Sequence, residues 1–270
     1  MIGPFMSVGY KAISQTMKRV SDLWSVDIPD TWRQGRTVYG GLTTALALEA
    51  CYKDFENLSP LRSVTVNFVG PVSANPQYKT TLLRQGRNVT MIEVKGYIEE
   101  QVIISVTFSF GTSRQSEVSQ NYAAPEVKQP KLCDAFTPPF MKDFVPQFFH
   151  NFDTRLIEGA RPVSGADKGY IRTWSRHKDK ASREGLSSLL CLADVLPPAA
   201  MPLLKTMGPV SSMTWIVNFL TDIPMTTDGW WHVESNLTAG QNGYASQVMR
   251  IWNSEGELVV EGLQSVTLFV

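Results

Sequence analysis

The chain has 270 residues, with 25 Lys and Arg against 25 Asp and Glu, and 43% of its residues are hydrophobic. This length and apolar content suffice for one large domain or two ordinary ones with a real core. A zero formal charge without any basic run gives no electrostatic drive toward nucleic acid. No apolar stretch reaches the ~20 residues of a membrane span.

Residues 1–20 contain neither a continuous apolar stretch nor a small-residue cleavage site, so no secretion signal is expected and the chain reads as cytoplasmic. Cys51, Cys133 and Cys191 are odd in number and widely spaced, as reduced and mostly buried thiols are. Sequons at Asn57, Asn88 and Asn236 mean little without export. His150, His177 and His232 lie far apart with no metal-ligand spacing, so no metal site is expected.

In chain order, residues 23–28 read as a short strand. Residues 39–52, rich in Ala and Leu and opening with Gly40-Gly41, read as a buried helix. Strands follow over 63–69, 77–83, 89–98 and 102–110, the last two separated by the polar turn Glu99-Glu100. The segment 111–147, with Pro125, Pro130, Pro138 and Pro139, has the composition of a surface linker. Beyond it come strands near 154–156 and 169–174 and a helix over 182–195 with Ser182 as its N-cap. Strands over 212–220, 230–237, 244–252 and 258–269 complete the chain, with a hairpin turn at Asn253-Ser254-Glu255-Gly256.

This order contains a repeat. Val66-Asn67-Phe68 recurs as Val217-Asn218-Phe219, and the helical run starting Gly41-Leu42-Thr43-Thr44 has a counterpart in Gly185-Leu186-Ser187-Ser188. Gly86-Arg87-Asn88 and Gly240-Gln241-Asn242 each open two alternating apolar strands. Three landmarks in one order at a nearly constant offset indicate two copies of one unit, residues 1–112 and 151–270, joined by 113–150. A helix followed by an antiparallel sheet, twice over, is an α+β architecture in which each helix covers one sheet face.

Several segments resemble the double-hotdog, acyl-CoA thioesterase II-like members of the thioesterase superfamily. They are Gly35-Arg36-Thr37-Val38-Tyr39-Gly40-Gly41, Leu192-Ala193-Asp194-Val195-Leu196-Pro197, Val217-Asn218-Phe219-Leu220 and Gly262-Leu263-Gln264-Ser265-Val266. The resemblance implies two tandem hotdog units, each a long helix wrapped by an antiparallel sheet. It also implies thioester hydrolysis in fatty acid metabolism by water attack, with coenzyme A or acyl carrier protein as the acyl carrier and no cofactor. A homodimer or homotetramer of the full chain fits such a fold.

Residue by residue, the family's water-holding acid, hydroxyl and amide fall on Asp194, Ser212 and Gln264. Thr214 is the alternative hydroxyl, two residues on and expected to face the same side. Glu49 is the rival carboxylate, because simple hotdog thioesterases carry an acid on the helix after Gly-Gly. Backbone N–H groups near Gly41 or Gly185 are the candidates for holding the oxyanion and substrate. The first copy places Ala50 opposite Asp194 and has no Gln on its last strand, so the second unit is expected to be the catalytic one. Three other readings stand beside this. A non-catalytic acyl-CoA or fatty-acyl binding protein could share the scaffold, and a hotdog hydratase would need a His paired with an acid. A serine hydrolase is disfavoured because no G-x-S-x-G elbow exists.

Overall fold

The computed structural model describes residues 8–270. The first seven residues, part of the stretch read above for a secretion signal, lie outside the described residues. Helix α1 (Tyr10–Gln15) leads to strands β1 (Lys18–Val20) and β2 (Leu23–Ser25) and a two-stranded ribbon, β3 (Arg33–Gln34) with β4 (Thr37–Val38). Then come α2 (Gly40–Asp54), β5 (Leu61–Phe68), β6 (Gln77–Gln85), β7 (Val89–Ile98) and β8 (Gln101–Gly111). The second half contains β9 (Asp134–Ala135), β10 (Phe152–Gly159), β11 (Tyr170–His177) and α3 (Leu186–Ala193). Strands β12 (Val210–Phe219), β13 (Trp231–Gln241), β14 (Tyr244–Trp252) and β15 (Leu258–Leu268) follow.

All strands but β3 and β4 form a single sheet in the order β1-β2-β6-β7-β8-β5-β12-β15-β14-β13-β11-β10-β9, and every neighbouring pair is antiparallel. The halves join where β5 pairs with β12. The two strands carrying the repeated Val-Asn-Phe lie side by side there, and Thr65 faces Ile216, its equivalent in the repeat. A pseudo-twofold axis therefore passes between those two residues, as a fused pair of hotdog units requires.

Turn chemistry sets the hairpins. Asn242 and Gly243 both adopt positive φ (54° and 79°) between β13 and β14, the geometry that favours Asn-Gly in two-residue hairpins. Glu99 takes φ 56° at the β7–β8 turn. Helix α2 is buried on nearly all sides, with no measurable exposure at Leu42, Ala45, Leu46, Ala47, Leu48, Ala50 and Cys51. It packs on the inner face of its own sheet and against α3.

Three local expectations change. The second helix is short, eight residues against fifteen in α2, because Gly185 enters it at φ 96° and Pro197-Pro198 follow its end. Ser182 is not its cap. Its hydroxyl donates to Asp179 and accepts from the Lys11 N–H, tying α1 to the second half. Finally, the Pro-containing segment is not a free surface linker. Tyr122 and Lys128 carbonyls accept from the Trp252 and Trp174 indoles, Asn121 brackets Leu258 and Ala124 donates to Gly256. These bonds make it a strap across the outer face of the sheet in its second half. Among the described residues, no helix is long and apolar enough to cross a membrane.

The shared sheet, continuous through β5 and β12, is expected to make the two halves unfold together. Leu46→Ala, in the helix between them, is expected to cost about 2–5 kcal/mol. Urea denaturation should show this as a lowered midpoint with a single transition, whereas separate transitions for the two halves would contradict the coupling.

Candidate active site

Asp194 ends α3 in a non-helical conformation (φ −96°, ψ 12°), turning its carboxylate out of the helix while Val195 N–H bonds back to the Leu192 carbonyl. The carboxylate meets the beginning of α2, which belongs to the other half of the chain. This close approach depends on the two glycines there. A Cβ on Gly40 would sit 3.0 Å from Asp194 Oδ2 and 3.0 Å from the Phe68 ring, and one on Gly41 would sit 2.5 Å from the Cys191 carbonyl. The Tyr39 hydroxyl locks the two helices together by donating to that same carbonyl at 2.7 Å.

On the sheet below, register builds a row of inward-facing side chains. Val66 of β5 faces Trp215 of β12, Trp215 faces Gln264 of β15, and Gln264 faces Gln247 of β14. Gln264 is 2% exposed, and its Nε2 donates to Asp194 Oδ1 at 2.9 Å. Its Oε1 accepts from Gln247 Nε2 at 2.7 Å, and Gln247 Oε1 accepts from the Ala199 backbone N–H at 2.7 Å.

Burial raises the Asp194 pKa from its ordinary value of 3.8 to about 7, against the opposing pull of the bonds from Gln264 and the Gly41 N–H. Asp194 is half-buried as a residue, with its carboxyl group turned into the buried junction between the two helices. A carboxylate that changes protonation near neutrality is suited to take a proton from water and return it.

The sequence candidates separate clearly in space. Asp194 and Gln264 are directly bonded, and the Gly41 N–H also turns to Asp194, so it is engaged by the carboxylate rather than reserved for an oxyanion. Ser212 pairs with Val266, an inward residue two positions from Gln264. That diagonal relation spans about 7–8 Å between backbone positions. Thr214 does not share its face. A bulge between Ser212 and Thr214 breaks the alternation, and Thr214 lies exposed opposite Ser265 and Asn67.

Gly185 lies at the opposite end of α3 from Asp194, and its positive φ explains it as a helix entry. Glu49 belongs to that remote pole too, accepting from the Tyr10 hydroxyl at 3.1 Å and from the Ser187 hydroxyl. His177 and His232 are buried and held near pKa 4, chiefly by burial. His177 bonds the Ser188 carbonyl, and His232 packs between Trp174 and Trp252. Neither pairs with Asp194 in a hydrogen bond.

Two polar participants escaped the sequence reading, Tyr39 and Gln247. Gln247 had a signal, because it interrupts the inward positions Ala245, Met249 and Ile251 of its strand just as Gln264 interrupts β15. A surface cavity of about 490 Å³ opens beside Leu237, the partner of Gln247, with Glu158, Lys168, Gly169, Tyr170 and Asn236 on its walls.

Comparison with known proteins agrees with this architecture. A family model described as the acyl-CoA thioesterase C-terminal domain matches residues 127–268, and one for the N-terminal domain matches residues 28–111. The chain belongs to the acyl-CoA thioesterase family. As a family member it is a thioester hydrolase. No curated protein matches it.

Among solved structures, a hot dog fold protein of unknown function from Alicyclobacillus acidocaldarius is similar over 98% of this chain and 99% of its own. It has 20% identity and a TM-score of 0.86. The tesB protein of Mycobacterium avium subs paratuberculosis is 17% identical, with TM-score 0.74 and 96% and 97% of the two chains covered. The acyl-CoA thioesterase II TesB2 of Mycobacterium marinum is 16% identical, with TM-score 0.73 and coverage of 96% and 97%. At these identities the likeness establishes the double-hotdog fold, in which the thioesterase carries Asp194 at the junction of its two units.

The raised pKa has a consequence for stability. An acid whose pKa is raised by folding holds its proton more tightly in the folded chain. Its contribution is therefore full below pH 3.8 and is lost as pH rises through about 7. Asp194→Asn is expected to match the parent protein at pH 4. At pH 8 it should exceed it by about 1–3 kcal/mol, a range that allows for the partial exposure of Asp194. Urea denaturation at the two pH values checks both sign and size.

Proposed function

We propose that the protein hydrolyses acyl-CoA to the free acid and coenzyme A, with Asp194 as general base and Gln264 and Ser212 as the groups that hold the attacking water. The observation that carries this reading is the Asp194–Gln264 pair. It is a carboxylate poised near neutrality and bonded to an amide rather than to a cation.

The reaction balances without any further reactant. Asp194 takes a proton from the water as its oxygen bonds to the thioester carbonyl carbon. The carbonyl oxygen gains negative charge, which the positive end of α2 stabilises electrostatically. Collapse of the tetrahedral intermediate breaks the C–S bond, and the proton on Asp194 passes to the departing thiolate. Sulfur donates little resonance to a thioester carbonyl, so base catalysis and orientation supply enough of the acceleration. Ser212 adds a hydroxyl that can both donate and accept. In this reading the N-terminal unit supplies the α2 pole, while the C-terminal unit supplies all three side chains.

Incubation with acyl-CoAs of graded chain length should release free thiol. Asp194→Asn should lower the release by about 10²–10⁴-fold, while Thr214→Ala should leave it unchanged. The rate should rise with pH through a midpoint near the Asp194 value of about 7, because only the ionised carboxylate accepts a proton. Undiminished turnover in Asp194→Asn would overturn the assignment. Stoichiometric binding of acyl-CoA without thiol release would favour a carrier instead.

A further inference from the structure

The mechanism above leaves the Gln247 amide of the row unused. Gln247 is 1% exposed, and a buried amide is costly unless its ends are bonded. Its oxygen accepts from the Ala199 N–H, and its nitrogen donates to Gln264 Oε1. The decisive member is Ala199, because a backbone N–H can only donate. It obliges Gln247 to point its oxygen at the loop after α3 and its nitrogen at Gln264. Gln264 must then offer its own nitrogen to Asp194. Released from Gln247, the Gln264 amide could turn over with little steric penalty and present an oxygen to the carboxylate.

We propose that Gln247 is a positioning residue of the thioesterase site, locking the Gln264 amide with its N–H toward Asp194, with the Ala199 N–H setting the polarity of the whole relay. This rests on the proposed role of Asp194 and adds what holds its partner in the productive orientation. The other groups facing Asp194 are the Gly41 N–H and Tyr39 phenol at the start of α2 and the Cys191 thiol within α3. Burial first, and Asp194 second, push the phenol and the thiol well above their ordinary pKa values, so both stay neutral while Asp194 titrates. The Gly41 N–H is backbone and cannot reverse. The Gln264 dipole is different, because its sign is set by a residue that does not touch Asp194.

The test is a pair of substitutions read in two ways. The first readout is the Asp194 carboxyl titration by ¹³C NMR of the full chain without substrate, and the second is kcat and KM for acyl-CoA hydrolysis. Gln247→Met keeps the length of the side chain, adds no charge and removes both bonds. It should raise the Asp194 midpoint by about half a unit and lower kcat about tenfold, with KM within about twofold. Gln247→Glu, closer in shape, can offer only acceptors once ionised and draws the Gln264 NH₂ away from Asp194. It should raise the midpoint further and lower kcat more than Met does, although a role in packing alone predicts the reverse order.

If the buried carboxylate prevents folding, the Met variant decides. A folded Gln247→Met with the parental midpoint and kcat would overturn the proposal. A raised midpoint in Gln247→Met together with full turnover in Asp194→Asn would uphold the relay and overturn the base assignment, so the two failures are distinct.

Discussion

The structure turns on one buried contact between its halves. A carboxylate at the end of α3 is pressed against the first turn of α2, where no side chain intervenes because residues 40 and 41 are both glycine. Neither half can make this arrangement alone, since the acid comes from one unit and the helix pole from the other. Burial drives the Asp194 pKa upward, and donors from Gly41 and Gln264 restrain the rise. The result near neutrality is a balance of opposing effects. The fusion of two units into one sheet through β5 and β12 holds the two sides of that balance in register.

The pseudo-twofold that relates the units produces a second pole, and its occupants differ. Near the entry of α3 lies Glu49, bonded by Ser187 and by Tyr10 of α1. Tyr10 has no measurable exposure, and its ring lies beside His177, which is itself buried against Phe152. An N-terminal helix thus packs over this second pole. The asymmetry arises from that packing as well as from residue identity.

Much of this was legible in the chain, and for physical reasons. Period-two alternation marks strands wherever one face is buried, and β7 and β14 coincide with the alternating runs because both faces of the pattern persist to their turns. The repeat was readable because the paired strands β5 and β12 must present the same side chains to a common axis. Three features were hidden. The face of Thr214 depends on a bulge, which shifts parity by one residue without altering composition. The start of α3 depends on a positive φ at Gly185, which a Ser upstream imitates as a cap. The strap over the outer sheet depends on the Trp174 and Trp252 indoles finding carbonyl acceptors, a tertiary demand that proline-rich composition does not express. Asp194 and Gln264 could be carried over by resemblance, but Gln247 could not, since its task is defined only by its two neighbours in space.

A second buried acid in the same sheet shows why the choice of partner matters. Glu234 on β13 is only 4% exposed, and burial alone would raise its pKa. Its side chain nevertheless receives Arg172, Tyr170 and Arg250, and the net shift is downward. Desolvation is overcome by fixed cations, and the group stays ionised as a structural tie between strands. Asp194 is given amides instead. Gln264 and the Gly41 N–H stabilise the anion enough to let it form, yet carry no charge that would hold it there when a proton arrives. An arginine in place of Gln264 would bring a fixed cation to the carboxylate and hold it ionised, as Arg172 does for Glu234. The neutral relay from Ala199 through Gln247 to Gln264 solves this by delivering an oriented donor from a backbone group that cannot itself titrate.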